Sequence, residues 1–146
     1  MISVLIVGTG NVGFHLYNAF SKADEITVNQ VSSRKLDKVP KNDVTIIAVS
    51  DDAIADVSIK IKNDFVVHTS GSFAMNDLKN TSDKGVFYML QTFSKNKKVD
   101  FNKVPFCLEA ENKESYNLLE KLAKLIGNKI YNIDTEQRKS LHVAAV

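Results

Sequence analysis

Six residues near the amino terminus, Gly8-Thr9-Gly10-Asn11-Val12-Gly13, have the types and spacing that suit phosphate binding. In a G-x-G-x-x-G pattern each glycine has its own job. Gly8 permits a tight turn, Gly10 has no side chain to hold a pyrophosphate off the backbone, and Gly13 lets the next helix pack close to the strand. A helix that opens here offers free N–H groups and a partial positive charge to phosphate oxygens. The pattern recurs by chance, so its context decides. Ile2–Val7 ahead of it is a continuous β-rich run, and Val12, Leu16, Ala19 and Phe20 behind it recur at helical spacing. Strand, glycine turn and helix together point to a dinucleotide; a phosphate-free structural turn is the alternative.

The type of dinucleotide is read at the end of the second strand, where NAD sites place an Asp or Glu for the ribose 2′-hydroxyl. This chain has Ser32-Ser33-Arg34 there. A carboxylate would repel a 2′-phosphate, whereas hydroxyls donate to it and a guanidinium pairs with it bidentately. The expected cofactor is therefore NADP(H). Val49-Ser50-Asp51-Asp52 and Thr69-Ser70-Gly71-Ser72 follow later strands, and in a doubly wound sheet ligands bind beyond the carboxyl ends of the strands. We take Val49, Ser50, Asp51 and Ser70 as further cofactor contacts, with Ser72 deeper, near a substrate. The same residue types also serve as ordinary loop and capping residues.

For catalysis, His68 ends an expected strand at the crevice and could donate a proton near neutral pH; a histidine hydrogen-bonded within the sheet is the competing reading. His142 is a second candidate. Ser72 and Gln91 could orient a carbonyl, but neither serine nor glutamine has a base visibly paired with it. His15 reads as a packing or surface residue. Cys107, the only cysteine, lies in the apolar run Pro105–Leu108 and reads as a buried structural thiol. Three scattered histidines and this cysteine make no metal-ligand set.

The elements that must position these residues alternate between strand and helix, the mark of an α/β fold. Strands are expected at Ile2–Val7, Ile26–Val31, Val44–Val49, Phe65–His68, Val86–Leu90, Val104–Leu108 and Lys129–Ile133. Ser32–Asn42 is polar, contains Pro40 and leaves little room for a helix. Asp51 or Asp52 is expected to cap a helix carrying Ile54, Val57 and Ile61, and a short helix is expected around Met75 and Leu78. Tyr116, Leu119, Leu122, Ala123 and Ile126 mark an amphipathic helix, with Gly127 as its C′ stop. Asp134 or Thr135 is expected to cap a last helix running through Val146. The fold class is a Rossmann-type, doubly wound, mostly parallel sheet with helices on both faces. Residues 1–134 are expected to form the NADP-binding domain, and residues 135–146 to be the first helix of a further domain, all-helical by the resemblance given below; a helix that simply docks at the carboxyl terminus is the alternative.

Composition excludes other classes. At 146 residues, 44% hydrophobic and 25% charged, the chain is one ordinary globular domain. A net charge of +2, from 19 basic and 17 acidic residues, is too small for non-specific nucleic-acid or membrane binding. Lys95, Lys97, Lys98 and Lys103 cluster, which a solvated loop explains. Nothing ahead of the glycine turn is long enough for a signal peptide or a membrane span, so the expected compartment is the cytoplasm.

In order along the chain, the glycine turn, Ser32-Ser33-Arg34, Ala48–Ile54, His68–Ser72 and Leu90-Gln91-Thr92-Phe93-Ser94 resemble a family of Rossmann-like proteins described as NADP oxidoreductases. That family is similar to pyrroline-5-carboxylate reductases, deazaflavin-dependent NADP oxidoreductases and the 6-phosphogluconate and 3-hydroxyisobutyrate dehydrogenases. Gln137–Ala145 resembles the start of the family's helical carboxyl-terminal domain. The resemblance implies a homodimer formed through that domain and a small-molecule substrate bound between the domains, with His142 facing the cleft. It maps Gly8, Gly10, Asn11 and Gly13 to the pyrophosphate loop and Arg34 to the 2′-phosphate. Met89 departs from it, standing where a proline is expected. The function expected is hydride transfer between NADP(H) and a small carbonyl or imine. A non-catalytic NADP(H)-sensing module is the alternative. A methyltransferase-like fold is disfavoured by the third glycine and by the lack of an acid after the second strand.

Overall fold

The computed structural model describes residues 1–37, 39–61 and 65–145. Seven strands form one sheet: β1 (Ile2–Val7), β2 (Ile26–Val31), β3 (Val44–Ile47), β4 (Val66–His68), β5 (Lys84–Met89), β6 (Pro105–Ala110) and β7 (Lys129–Asn132), in the order β2-β1-β3-β4-β5-β6-β7. β1 to β5 are parallel, β6 runs antiparallel to β5, and β7 is parallel to β6. The helices are α1 (Asn11–Ser21), α2 (Ile54–Ile59), α3 (Lys113–Ile126) and α4 (Thr135–Ala145). This is the Rossmann-type arrangement expected. No helix joins β2 to β3 among the described residues, in keeping with the polar, proline-containing segment between them.

The apolar strand runs divide their side chains between two faces with period two. Val4 and Ile6 of β1, Ile46 of β3 and Phe87 of β5 pack under α1 and α3 through Leu16, Phe20, Leu119 and Leu122. Leu5, Val7 and Ile47 face the other way, against Ile54 and Val57 of α2. Burial of each such side chain stabilises the fold by about 1.5–3 kcal/mol. Farther along the sheet, Val86, Tyr88 and Cys107 meet Met75 and Leu141 of α4. Burial pushes the Cys107 thiol above its ordinary range, so it is a structural thiol rather than a nucleophile.

Local signals explain the starts of α3 and α4. Asn112 Oδ1 accepts the Ser115 N–H at 2.8 Å and opens α3. Asp134 and Gln137 form a reciprocal capping box, Gln137 N–H to Asp134 Oδ1 at 2.8 Å and Asp134 N–H to Gln137 Oε1 at 3.0 Å, which starts α4. Three expectations are corrected. Gly127 ends α3 in an extended conformation (φ −154°), not as a left-handed stop; a Cβ there would lie 2.5 Å from the Phe106 ring, so close packing is what requires glycine. Neither Asp51 nor Asp52 caps α2 through its side chain. A 3₁₀ turn at Asp51–Ala53 leads into the helix instead, and Asp52 accepts from the Ser50 hydroxyl at 2.9 Å. The short helix near Met75 is a 3₁₀ turn, Met75–Asp77. Val146, expected within the last helix, lies outside the described residues.

Candidate functional site

The connection after β1 returns to β2 on one side, whereas β3 lies on the other, so the strand order reverses at β1 and β3. Ligands of open α/β sheets bind at such a switch point. Register brings three strand ends together: Val7 lies beside both Val31 and Ile47. Backbone bonds continue this alignment, from Gly8 N–H to the Val31 carbonyl (2.9 Å) and from Ala48 N–H to the Val7 carbonyl (2.8 Å). A crevice of about 740 Å³ opens above them.

Each glycine of the turn has a distinct geometric reason. Gly8 has φ +128°, and a Cβ on it would sit 2.1 Å from the Ala48 carbonyl oxygen. Gly13 is buried in α1, where a Cβ would lie 2.5 Å from the Gly8 carbonyl oxygen. Gly10 is different: a Cβ there meets nothing within 4 Å, so the space beside it is open crevice. Gly10 caps α1 without a side-chain bond, and no acidic residue stands in the first turn, leaving the first N–H groups free for an anion. Gln30 supports the turn from β2, its Nε2 donating to the Gly8 carbonyl at 2.8 Å.

Of the expected site residues, Gly8, Thr9, Gly10, Asn11 and Val12 line the crevice on one side, and Ser32, Ser33 and Arg34 line it at the end of β2. Val49, Ser50 and Gln91 line it as well. Arg34 is exposed and makes no ion pair among the described residues. Thr69 lines it as part of the segment expected there, and Ala48, Ala53 and Phe93, not named as individual contacts, complete the lining; an alanine or phenylalanine carries no chemical signal of its own in sequence.

Other expected residues are turned elsewhere. Asp51 Oδ2 accepts the Ser72 hydroxyl at 2.8 Å, so these two tie the loops after β3 and β4 to each other rather than lining the crevice. The buried Ser70 hydroxyl accepts the N–H groups of Ser72 (3.1 Å) and Phe73 (3.0 Å), which shapes its own loop. His142 lies on α4, its Nδ1 2.9 Å from the Tyr88 hydroxyl and its ring against Gly71, outside the crevice lining.

His68 is corrected as a proton donor. It is fully buried, and its Nδ1 accepts the Ser70 N–H at 3.0 Å, which places the ring proton on Nε2. Burial above all, and then the Arg138 guanidinium, lower its pKa to about 3, against smaller opposing effects of Asp51 and the Phe73 carbonyl. It stays neutral near pH 7 and packs edge-on against Phe73. His15 is a packing residue whose Nε2 lies 2.6 Å from the Ser94 carbonyl oxygen. Among the described residues no group of three or more His, Cys, Asp or Glu side chains could hold a metal ion, and no helix is long and apolar enough to cross a membrane.

With this geometry in place, likeness to solved structures is decisive for the fold. The chain superimposes on a "putative NADP oxidoreductase" from Bacteroides fragilis with TM-score 0.83 and 31% identity, covering 99% of this chain and 65% of that one. It has the Rossmann fold of that oxidoreductase. A protein from Thermotoga maritima (TM-score 0.76, 20% identity) shares the fold over 98% of this chain and 62% of its own. So does a pyrroline carboxylate reductase from Plasmodium falciparum with NADP bound (TM-score 0.67, 13% identity, 92% of this chain, 58% of that one). The chain thus spans under two thirds of these proteins' lengths. Residues 104–146 match the family described as "Domain of unknown function (DUF2520)". No curated protein matches the sequence.

Proposed function

We propose that this chain is the nucleotide-binding part of an oxidoreductase that holds NADPH along the crevice and presents it to a small carbonyl or imine. The observation that carries the reading is the open space at Gly10, at the uncapped amino end of α1 and facing Ser32-Ser33-Arg34. The residues present fit the cofactor. Main-chain N–H groups of Asn11 and Val12 would hold its pyrophosphate, and Arg34 with Ser32 and Ser33 would hold its 2′-phosphate. No carboxylate lines the crevice at the end of β2 among the described residues, which removes the group that would favour NAD(H). When bound, the nicotinamide supplies a hydride. Gln91, which lines the crevice on the β5 side, would donate from its amide to the substrate's carbonyl or imine group. The names of the structural relatives support the same reading.

We also infer that α4 opens a helical domain through which two copies pair. Val143 is 76% exposed on α4 and Tyr131 of the neighbouring β7 is 50% exposed, which leaves apolar surface for such a contact.

The test is calorimetric titration of this chain with NADPH and, separately, NADH. NADPH should bind at least ~10-fold more tightly, a difference of about 1.4 kcal/mol. Equal affinities would remove the 2′-phosphate assignment, and binding of neither would remove the cofactor reading. Turnover is then assayed on the longest native protein, following NADPH oxidation with carbonyl and imine substrates. Tight binding without any turnover would leave a nucleotide-binding module rather than an enzyme.

A further inference from the structure

A second concavity, of about 610 Å³, lies between α1, the carboxyl-terminal end of α3 and the loop that follows β5. That volume is in the range of small-molecule sites. Phe14, Val99 and Leu125 give its lining an apolar part, with Phe14 37% exposed. Lys22 of α1 and Lys95, Lys97 and Lys98 of the loop line it too, and none makes an ion pair among the described residues. Asp100 is the only carboxylate among the described lining residues. The excess is three positive charges, in a chain whose net charge is only +2. The carboxyl ends of α1 and α3 border the same space and contribute about half a negative charge each, which offsets only part of it.

The loop that carries three of these exposed lysines is anchored at both ends, which holds its backbone beside the concavity. His15 Nε2 lies 2.6 Å from the Ser94 carbonyl oxygen. Asp100 accepts the Asn102 N–H at 3.1 Å, and buried Phe101 stacks on Phe106 with ring centroids 6.0 Å apart. Lys95 Nζ stands 6.0 Å from the centroid of the Phe14 ring. Cations held beside an aromatic face in a concave site recognise an anion joined to an apolar body better than either alone.

We propose that this concavity is a second ligand site, taking a small phosphate ester with an apolar or aromatic body. The lysines hold the phosphate and Phe14, Val99 and Leu125 hold the body. Its concave shape and small-molecule volume suit a compact ligand better than a flat membrane surface or an extended nucleic acid. The assignment does not rest on the nicotinamide reading, although the two sites share a wall. Phe93 lines the crevice and packs on His15 (5.7 Å) and Phe101 (6.1 Å), which line the second site.

Phenyl phosphate titrated into the ¹⁵N-labelled chain at low salt tests this, because amide shifts read the two sites separately. Saturable shifts are expected at Lys22 and Lys95–Val99, complete in the low-millimolar range. Reversing two exposed charges, Lys97→Glu with Lys98→Glu, should weaken the response at least ~10-fold while leaving the rest of the spectrum in place, and inorganic phosphate should bind more weakly than the ester. Shifts that never saturate, equal binding by the reversed variant, or equal binding of bare phosphate would overturn the proposal. Shifts confined to Gly8–Gly13 would reject the second site and leave the crevice reading standing. Loop binding in a chain that ignores NADPH would do the reverse.

Discussion

Arg138 of α4 donates from Nη1 to Glu109 Oε1 of β6 at 2.8 Å, and its Nη2 reaches the Phe73 carbonyl in the loop after β4. The same carboxylate accepts the Thr135 hydroxyl at 2.8 Å and the Thr135 N–H at 3.1 Å, at the first turn of α4. One fully buried guanidinium and one nearly buried carboxylate therefore fasten α4 both to the sheet and to the loop that carries Ser70 and Ser72. This link joins residues far apart in the chain and ties the last helix to the rim of the crevice.

Removing one partner strands the other as a buried charge. Arg138→Ala or Glu109→Ala should each lower unfolding stability by about 3–5 kcal/mol, and Arg138→Met with Glu109→Leu should cost clearly less than either single change. Urea unfolding of the three variants measures this. A double variant as unstable as the sum of the singles would show that packing rather than charge pairing holds α4.

The glycines of the turn should separate by phenotype. Gly8→Ala forces a side chain into a left-handed backbone and against the Ala48 carbonyl, and should destabilise the fold by at least ~2 kcal/mol. Gly10→Leu enters open space, so it should cost under about 1 kcal/mol, from a poorer helix cap, yet abolish nucleotide binding. Thermal unfolding and calorimetry on the two variants check both halves.

Arg34 should decide between the two cofactors. Arg34→Ala should weaken NADPH binding by about 1.5–3 kcal/mol, the range for hydrogen bonds to charged groups, and leave NADH within about twofold. Parallel titrations of both nucleotides measure it; an unchanged preference for NADPH would assign the 2′-phosphate elsewhere.

His68 sets a pH dependence of stability. Its folded pKa, about 3, lies below the ordinary 6.5. Between those values the unfolded chain binds a proton that the folded chain refuses. Its contribution is therefore intact above about pH 6.5 and is lost as pH falls toward about 3, at up to about 1.4 kcal/mol per pH unit. His68→Asn, which keeps an acceptor for the Ser70 N–H, should remove close to one proton from the slope of unfolding free energy between about pH 6 and 5. Urea unfolding across that range measures the difference.

Much of this protein is local and therefore readable in sequence. The Ile2–Val7 strand, the glycine turn and α1 follow from neighbouring residues whose periodicity and backbone freedom specify them. The Asp134–Gln137 box that starts α4 and the Asn112 cap of α3 are equally local. The expected ends of strands and the cap of α2 were less well placed, because Ser, Asp and Asn bond to one another as readily as to a helix end; Ser50 chose Asp52. Tertiary structure alone decided which polar residues face the crevice. Asp51 and Ser72 look like ligand contacts until the loops after β3 and β4 meet and satisfy each other. His68 looks like a proton donor until burial and Arg138 hold it neutral. Arg138, Glu109 and Tyr88 gave no sequence signal, since a charge or a phenol on an amphipathic element is ordinarily at the surface. The reason is the same in each case. A backbone conformation is chosen over a few residues, whereas a side chain's partner and its solvation depend on what the fold brings beside it from elsewhere in the chain.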